Sequence, residues 1–285
     1  YIIIDGGSTD NSVDIIKKYA DKITYWISEN DNGTYDANNK ALKKITGDFW
    51  CVVNSDDILF PCAIDKIVNA INQNPGQKWF AGAVKFIDEN DNTIYSKVPE
   101  KPKSIAGYTF LQSCWILHPG VFLHKDTLSE IGLFEKYHSM DVNYWLRMEK
   151  YGYVPCVLEA FIAGLRMHKD CKSIDTVKAN AETLKVCADF ILKNQLKDLK
   201  DVKIKIKKDT LHYYRMKLTQ ELITNNKKQA FITLQKTATL SPDLMLQKWY
   251  WGAVKRLIMG VDYNDPMQKY FFEKENNANW NNLHD

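Results

Sequence analysis

Carboxylate side chains stand where two apolar segments of this sequence end. Asp5 follows the β-branched run at residues 1–4, and Asp56 and Asp57 follow the apolar run at 49–53. Like charges that end neighbouring strands repel one another and resist burial, so they are costly for folding alone. A divalent cation with a bound diphosphate would offset that cost, because Mg²⁺ and Mn²⁺ bind through one or two carboxylates plus phosphate oxygens. These residues therefore predict a site for a metal and a phosphorylated ligand.

The elements predicted around these carboxylates alternate between strands and helices. Residues 1–4 predict a strand, Gly6 and Gly7 a turn, and residues 13–19 a helix. "KITYWIS" predicts a strand, and "GTYDANNKALKKITGD" predicts a helix closed by Gly47. The continuous apolar run at 49–53 predicts a central strand covered on both faces. This alternation favours an α/β fold with a mostly parallel sheet, whose ligands bind outside the carboxyl ends of the strands.

Later segments continue this pattern and then become helical. "KWFAGAVKFIDENDNTIYSKV" predicts a hairpin around "DENDN", and "HPGVFLHKDTLSEIGLFE" predicts a strand and a short helix ending at Gly132. "MDVNYWLRMEKYGY" predicts a helix. Beyond residue 184 the pattern is all helical, with a turn at Asn225 and Asn226 and a stop near Pro242. We therefore predict a catalytic domain at 1–184 and a helical C-terminal region at 185–285.

Composition excludes several classes of protein. Apolar residues make up 45% of the 285 residues, which is enough for a sizeable core. The net charge of +3 gives no argument for a nucleic-acid partner. Six scattered cysteines without a CxxC pair fit reduced thiols in a cytosolic protein better than a zinc cluster or a disulfide scaffold. Neither a GxGxxG nor a GxxxxGK[ST] loop occurs, so a dinucleotide oxidoreductase and a P-loop enzyme are not supported.

Four motifs together resemble family 2 glycosyltransferases of the GT-A fold, over about residues 1–173. "IDGGSTDNS" resembles the family's nucleotide-binding strand end, "SENDNGTYDANNKAL" its donor-site helix, "NSDD" its DxD-type metal motif and "MDVNYWLR" its "ED...WLR" base motif. They occur in the family's order. The resemblance implies inverting transfer of a hexosyl group from a nucleotide-diphosphate sugar to an acceptor hydroxyl, with Mn²⁺ or Mg²⁺. It also implies a saccharide or lipid-linked saccharide acceptor, in bacterial polysaccharide or glycolipid biosynthesis.

The resemblance also implies roles for particular residues. Asp141 would be the catalytic base, Asp56 would reach the metal and the diphosphate, and His168 would be a late metal contact. Two positions depart from the family's pattern, since Asn54 stands where Asp is usual and Met140 where Glu is common. The residues that would bind the nucleotide sugar are Asp5, Gly7, Ser8, Asp36, Asn39 and Asp56.

Structural alternatives remain open for these carboxylates. Asp5 could act only as a turn residue before the two glycines. Asp56 and Asp57 could cap the following helix. Asp141 could be favoured simply by its place at a helix N-terminus.

Other residues near these motifs also have two interpretations. Arg166 and Lys169 could neutralise phosphate or be ordinary solvated charges. Trp115 and Tyr144 are expected in the core, with stacking on a sugar as the alternative.

The family's catalytic domain begins one strand and one helix earlier than this chain. The chain therefore resembles a fragment that lacks about 30 to 40 N-terminal residues, the length of one β-α unit.

The C-terminal region has two interpretations. Lysines are frequent at 197–208, and one face of "LQKWYWGAVKRLIMG" is apolar at Leu246, Trp249, Tyr250, Ala253 and Leu257. Such a helix fits peripheral contact with an anionic membrane at its inner face, and the alternative is a helical cap that packs on the catalytic domain.

Two other functions remain open on the sequence. One is a nucleotidyltransferase with a similar sheet and paired acidic ligands, and the other is a non-catalytic GT-A binding module.

Overall fold

The structure, a computed structural model, describes residues 1–168, 171, 176–196, 199–246 and 248–259. Tyr1–Lys203 form one compact unit, and a second unit begins at Ile204. None of the helices in these ranges is both long and apolar enough to span a bilayer.

The first unit opens with a two-stranded parallel sheet. Strands β1 (Ile2–Asp5) and β2 (Tyr25–Ser28) pair in parallel, with helix α1 (Ser12–Lys18) in the crossover between them. Helix α2 (Thr34–Leu42) follows and packs against β1. These four elements confirm the prediction, but α2 does not run on to Gly47. Its last turn closes at Lys43, whose N–H donates to Asn39 O at 3.3 Å.

The second sheet has six strands and is mixed. Its strands are β3 (Phe49–Trp50), β4 (Ile58–Leu59), β5 (Trp79–Ile87), β6 (Thr93–Lys97), β7 (Val121–His124) and β8 (Cys156–Arg166). The order is β3-β7-β5-β8-β4, and β6 pairs with β5 in the predicted hairpin. Of the six strand pairings in the described residues, only β1–β2 and β5–β8 are parallel. The mixed α/β class with a helical C-terminal region is confirmed, whereas the predominance of parallel pairing is wrong.

The predicted central strand at 49–53 is also wrong. Strand β3 has two residues, lies at the end of the sheet and pairs only with β7 among the described strands. Residues 51–53 form no strand, and Val53 is exposed. An apolar run indicates burial but not sheet order: β5 lies in the middle of this sheet with β7 and β8 beside it, and the sequence patterns did not reveal β8.

Three helices flank this sheet. A further helix, α6 (Thr176–Lys193), is the last described helix that lies wholly within the first unit. The three are α3 (Ala63–Gln73), α4 (Asp126–Ile131) and α5 (Met140–Lys150). Gly132 ends α4 with φ +86°, as predicted. Trp115 and Tyr144 are buried, which confirms that both belong to the core, and Trp145 of α5 stacks on Trp79 of β5 at 5.4 Å.

The described part of the second unit is helical. Helices α7 (Leu199–Ile223) and α8 (Lys227–Leu240) are joined by the predicted turn, where Asn225 has φ +55°. A 3₁₀ turn at Pro242–Leu246 precedes α9 (Lys248–Met259).

The apolar face predicted to meet a membrane lies instead in a helical core. Tyr250 and Ala253 of α9 are buried with Leu218 of α7 and Leu234 of α8, and Trp249 and Leu257 pack against this core. Of the residues on the predicted face, Leu246 alone is exposed, with 89% of its surface accessible. That assignment is corrected because α7 and α8 cover the face.

Candidate functional site

The turn after β1 is organised by the carboxylate of Asp5. Oδ2 accepts hydrogen bonds from Gly7 N at 3.1 Å, Ser8 N at 3.0 Å and Ser28 Oγ at 2.6 Å. Oδ1 accepts one from Ser8 Oγ. The Ser28 and Ser8 hydroxyls, followed by the backbone donors, hold the pKa of Asp5 below its usual value. These contacts fit the turn role that the sequence left open for Asp5, while its contact with a nucleotide sugar stays a prediction.

Gly6 and Gly7 allow a second loop to approach this turn closely. A Cβ on Gly6 would lie 2.6 Å from Asp31 Oδ2, and one on Gly7 would lie 2.5 Å from Asn30 Oδ1. Gly7 also has φ +86°, which L side chains rarely adopt. The glycines therefore fix the distance between the β1 turn and the loop that leads into α2.

The two predicted donor-site residues of α2 are engaged within the protein. Asp36 Oδ2 accepts from Asn32 N at 3.1 Å and Asn32 Nδ2 at 3.2 Å, and these bonds lower the Asp36 pKa. Asn39 Nδ2 donates to Phe134 O, and its Oδ1 accepts from Phe134 N, both at 2.9 Å. Asn39 thus connects α2 to the segment just ahead of α5.

The "NSDD" segment forms a turn whose last carboxylate is buried. Asn54 Nδ2 donates to Asp57 Oδ2 at 2.8 Å, and Arg166 N donates to Asp57 Oδ1 at 3.0 Å. Burial raises the pKa of Asp57, while these two donors oppose the rise. Asn54 therefore acts as a hydrogen-bond donor to Asp57, a role that Asp could not fill because it would place a second carboxylate there.

The carboxylate of Asp56, unlike that of Asp57, lies next to His168. Asp56 Oδ2 and His168 Nε2 lie 3.1 Å apart, although the residues are separated by 112 positions in the sequence. Both side chains remain partly exposed, at 36% and 23%. The resemblance assigned both to the metal, and the structure brings them together. No group of three or more His, Cys, Asp or Glu side chains able to hold a metal occurs in the described ranges.

Arg166 connects the Asp56 turn to the β5–β6 turn. Its Nε donates to Asp56 O at 2.9 Å, and its two terminal nitrogens donate to Asp88 O at 2.7 Å and Asp91 Oδ1 at 2.6 Å in the β5–β6 turn. Its side chain is only 18% exposed, so the interpretation of Arg166 as an ordinary solvated charge is wrong, while a role in neutralising phosphate stays a prediction. Lys169, which was considered with it, lies outside the described residues.

Asp141 begins helix α5 and is half-buried. Its Oδ1 accepts from the N–H of Val142 at 2.9 Å, as expected of a carboxylate in the first helical turn. His118 is close enough for the Asp141 charge to favour its protonation, but burial outweighs that effect and lowers the His118 pKa. The His118 ring meets Trp145 edge-on at 5.8 Å.

Sequence reasoning missed strand β8 and the residue His118. Arg166 and His168 come from the carboxyl end of β8, which was not recognised as a strand. His118 was not considered at all. The available signal for β8 was the β-branched and aromatic run "CVLEAFIAGL", which has strand composition and strand length.

The structure combines a mixed sheet with acidic side chains beyond the ends of its strands. A mannosyltransferase from Pyrobaculum calidifontis, solved with GDP-Man and Mn²⁺, shares the fold with a TM-score of 0.52 at 12% identity. The alignment covers 90% of this chain and 77% of that one. The fold is therefore GT-A.

Sequence comparisons agree with this fold. Residues 1–131 match the model of the family described as Glycosyl transferase family 2. An uncharacterised glycosyltransferase of Methanocaldococcus jannaschii is 27% identical over 172 residues, which cover 58% of this chain and 59% of the relative. One of Rickettsia typhi is 27% identical over 159 residues, 51% of this chain and 48% of the relative. The resemblance to family 2 glycosyltransferases is thus confirmed, and the chain spans about half of the length of these relatives.

Proposed function

We propose that the chain is the catalytic part of an inverting glycosyltransferase that uses a nucleotide-diphosphate sugar. The observation that carries the proposal is the Asp56–His168 pair, whose side chains lie 3.1 Å apart beyond the strand ends of a GT-A fold. Residues 1–131 of the chain match the family. The related fold from Pyrobaculum calidifontis binds GDP-Man, which supports a nucleotide-sugar donor here. The family match favours sugar transfer over the nucleotidyl transfer that the sequence left open.

Asp141 is the proposed base. Its carboxylate takes the proton of the acceptor hydroxyl while the oxygen attacks the anomeric carbon from the face opposite the diphosphate, so the configuration inverts. The bond to the diphosphate breaks, and the nucleoside diphosphate leaves with the electron pair. Asp141 lies in the first turn of α5 and is half-buried. Its Oδ1 accepts from the N–H of Val142, and its Oδ2 would take the proton of the acceptor hydroxyl. An ionised carboxylate can accept this proton.

Asp56 and His168 would hold a divalent cation. One carboxylate and one imidazole, both partly exposed, fit an ion that completes its coordination with diphosphate and water oxygens. The imidazole favours Mn²⁺ over the harder Mg²⁺. The bound ion would supply charge neutralisation for the departing nucleoside diphosphate. Mn²⁺ in the Pyrobaculum calidifontis enzyme supports this assignment.

The donor side of the site is formed by the β1 turn and α2. Asp5, Asp36 and Asn39 shape that side by holding the two loops and the segment before α5. Gly7 and Ser8 present backbone atoms at the carboxyl end of β1, where such sheets bind ligands.

An additional parallel strand would complete the sheet. Among the described strands β1 pairs only with β2, and β3 pairs only with β7, so each has one unpaired edge. An apolar depression beside β1 is lined by Ile3, Ile15, Ile16 and Tyr19. A further β-α unit placed there would cover this surface and one of the two strand edges.

A lipid-linked saccharide is the proposed acceptor class, with peripheral membrane contact through the second unit. The support is a surface next to and along α9 on which Leu246, Trp251 and Ile258 are exposed beside Lys248 and Lys255. Aromatic and aliphatic side chains flanked by lysines suit an anionic lipid interface.

Thermal melts with a panel of nucleotide sugars, each with and without Mn²⁺, test the donor and the metal. A ligand that binds only the folded protein raises its melting temperature, and we expect one donor to do so more strongly with Mn²⁺. Asp56→Asn should remove the Mn²⁺-dependent part, whereas the exposed Asp65→Asn on α3 should retain it. The absence of stabilisation by every donor, in this chain and in one extended at its N-terminus, would refute the proposal.

A further inference from the structure

All three guanidinium nitrogens of Arg166 donate hydrogen bonds within the protein. They reach three separate acceptors: the backbone oxygens of Asp56 and Asp88, and the carboxylate of Asp91. The Arg166 side chain is only 18% exposed. Three donor nitrogens in one plane can satisfy this set because arginine presents a rigid fork, whereas lysine offers a single point charge.

The backbone of Arg166 is fixed as firmly as its side chain. Arg166 is the last residue of β8 and lies opposite Ile87 in the parallel β5–β8 pairing. Its N–H donates to the buried carboxylate of Asp57, and the next N–H, of Met167, donates to Ile87 O at 2.8 Å. His168 then follows directly, so one short segment holds both the Asp56 turn and the imidazole that faces Asp56.

From this geometry we infer that Arg166 is a positioning residue, which holds the carboxylate of Asp56 against His168 so that the two can bind one cation. The inference rests on the proposed function only for the identity of the cation. The arrangement connects three elements, since the Asp56 turn, the end of β8 and the β5–β6 turn are all joined through one side chain. Residues that orient metal ligands typically change metal affinity by about 10- to 100-fold when they are replaced.

The main test measures Mn²⁺ binding directly, by electron paramagnetic resonance of free Mn²⁺ in the presence of a nucleoside diphosphate. Arg166→Lys keeps the charge but loses the fork, and we expect the Mn²⁺ dissociation constant to rise by about tenfold or more. Arg147→Lys is the matched control, because Arg147 also donates to two backbone oxygens, Ile131 O at 2.8 Å and Leu133 O at 2.6 Å. Arg147→Lys should leave the Mn²⁺ dissociation constant unchanged.

A second variant is informative if Arg166→Lys does not fold. Asp91 is exposed and forms only the outer contact of the guanidinium, so Asp91→Asn should fold and weaken Mn²⁺ binding by about threefold, less than loss of the whole fork. Unchanged Mn²⁺ affinity in Arg166→Lys, or in Asp91→Asn if Arg166→Lys does not fold, would overturn the inference. An equal loss in Arg147→Lys would also overturn it, because the effect would then be a general loss of structure.

A measurement without metal separates this inference from the proposed function. The ring resonances of His168 in the metal-free protein report on the nearby carboxylate, and they should shift in Arg166→Lys but not in Arg147→Lys. If the wild-type chain binds no Mn²⁺ but these resonances shift as expected, the metal assignment fails and the positioning role stands. If they do not shift, the positioning role is wrong.

Discussion

Replacing Asp5 by Asn should weaken the β1–β2 sheet in a pH-dependent way. In the wild type, four donors converge on the carboxylate, three of them on Oδ2. Asn keeps one acceptor oxygen but loses the charge. Hydrogen bonds to charged groups contribute about 1.5 to 3 kcal/mol and neutral ones about 0.5 to 1.5 kcal/mol, so we expect a net loss of about 2 kcal/mol.

The direction of the pH dependence follows from the lowered pKa of Asp5. The folded-state pKa of Asp5 lies below its ordinary value of 3.8, so the wild type gains stability from this carboxylate above about pH 4. That gain disappears as the pH falls through the depressed folded-state pKa. The difference between wild type and Asp5→Asn should therefore be full at pH 7 and shrink towards pH 2.

Hydrogen exchange of the β1–β2 amides measures this difference locally. The N–H of Glu29 donates to Asp5 O at 3.1 Å and is a direct probe. A loss of 2 kcal/mol corresponds to about 30-fold faster exchange, after correction for the intrinsic rate. Asp10→Asn is the control, since Asp10 is exposed and accepts from the N–H of Ser12, the first residue of α1. Equal protection in wild type and Asp5→Asn at pH 7, or a difference that does not change with pH, would refute the reasoning.

Three further predictions concern other parts of the chain. Asn39→Asp places a carboxylate oxygen against Phe134 O, and urea denaturation should show a loss of about 2 kcal/mol in the free energy of unfolding; unchanged stability would contradict the assigned contact. Trp251→Ser should weaken binding to anionic vesicles by about tenfold in flotation assays, whereas the similarly exposed Phe231→Ser should not; equal binding of both variants would exclude α9 as the contact. A chain extended at its N-terminus by a β-α unit should bind the donor more tightly than this chain, and equal affinity in calorimetry would show that such a unit is not part of the site.

Local signals predicted the helices and turns well. The hairpin around "DENDN", the end of α4 at Gly132 and the turn at Asn225 each depend on residues close together in sequence. The sheet order does not depend on such signals. The 49–53 run looks like a central strand, yet only Phe49–Trp50 pair, because strand neighbours are chosen by contacts far along the chain.

The candidate site was likewise predictable from the sequence only in part. The resemblance indicated Asp56 and His168, and their approach to 3.1 Å depends on β8 returning beside the "NSDD" turn. Arg166 could not be placed from sequence, because its three acceptors come from the Asp56 turn and the β5–β6 turn. Asp5 and Asn39 carried family resemblance, but only the structure shows how fully their polar atoms are used within the protein.

The central claim is that Asp141 is the base of a sugar transfer, and Asp141→Asn tests it most directly. Donor affinity, melting temperature and release of nucleoside diphosphate in the presence of acceptor should be measured on the same variant. We expect unchanged donor affinity, because a base at Asp141 would face the acceptor, and little change in melting temperature, because Asn suits a helix N-terminus about as well as Asp. Transfer should fall by about 10²-fold or more. Transfer at the wild-type rate by Asp141→Asn would contradict the account.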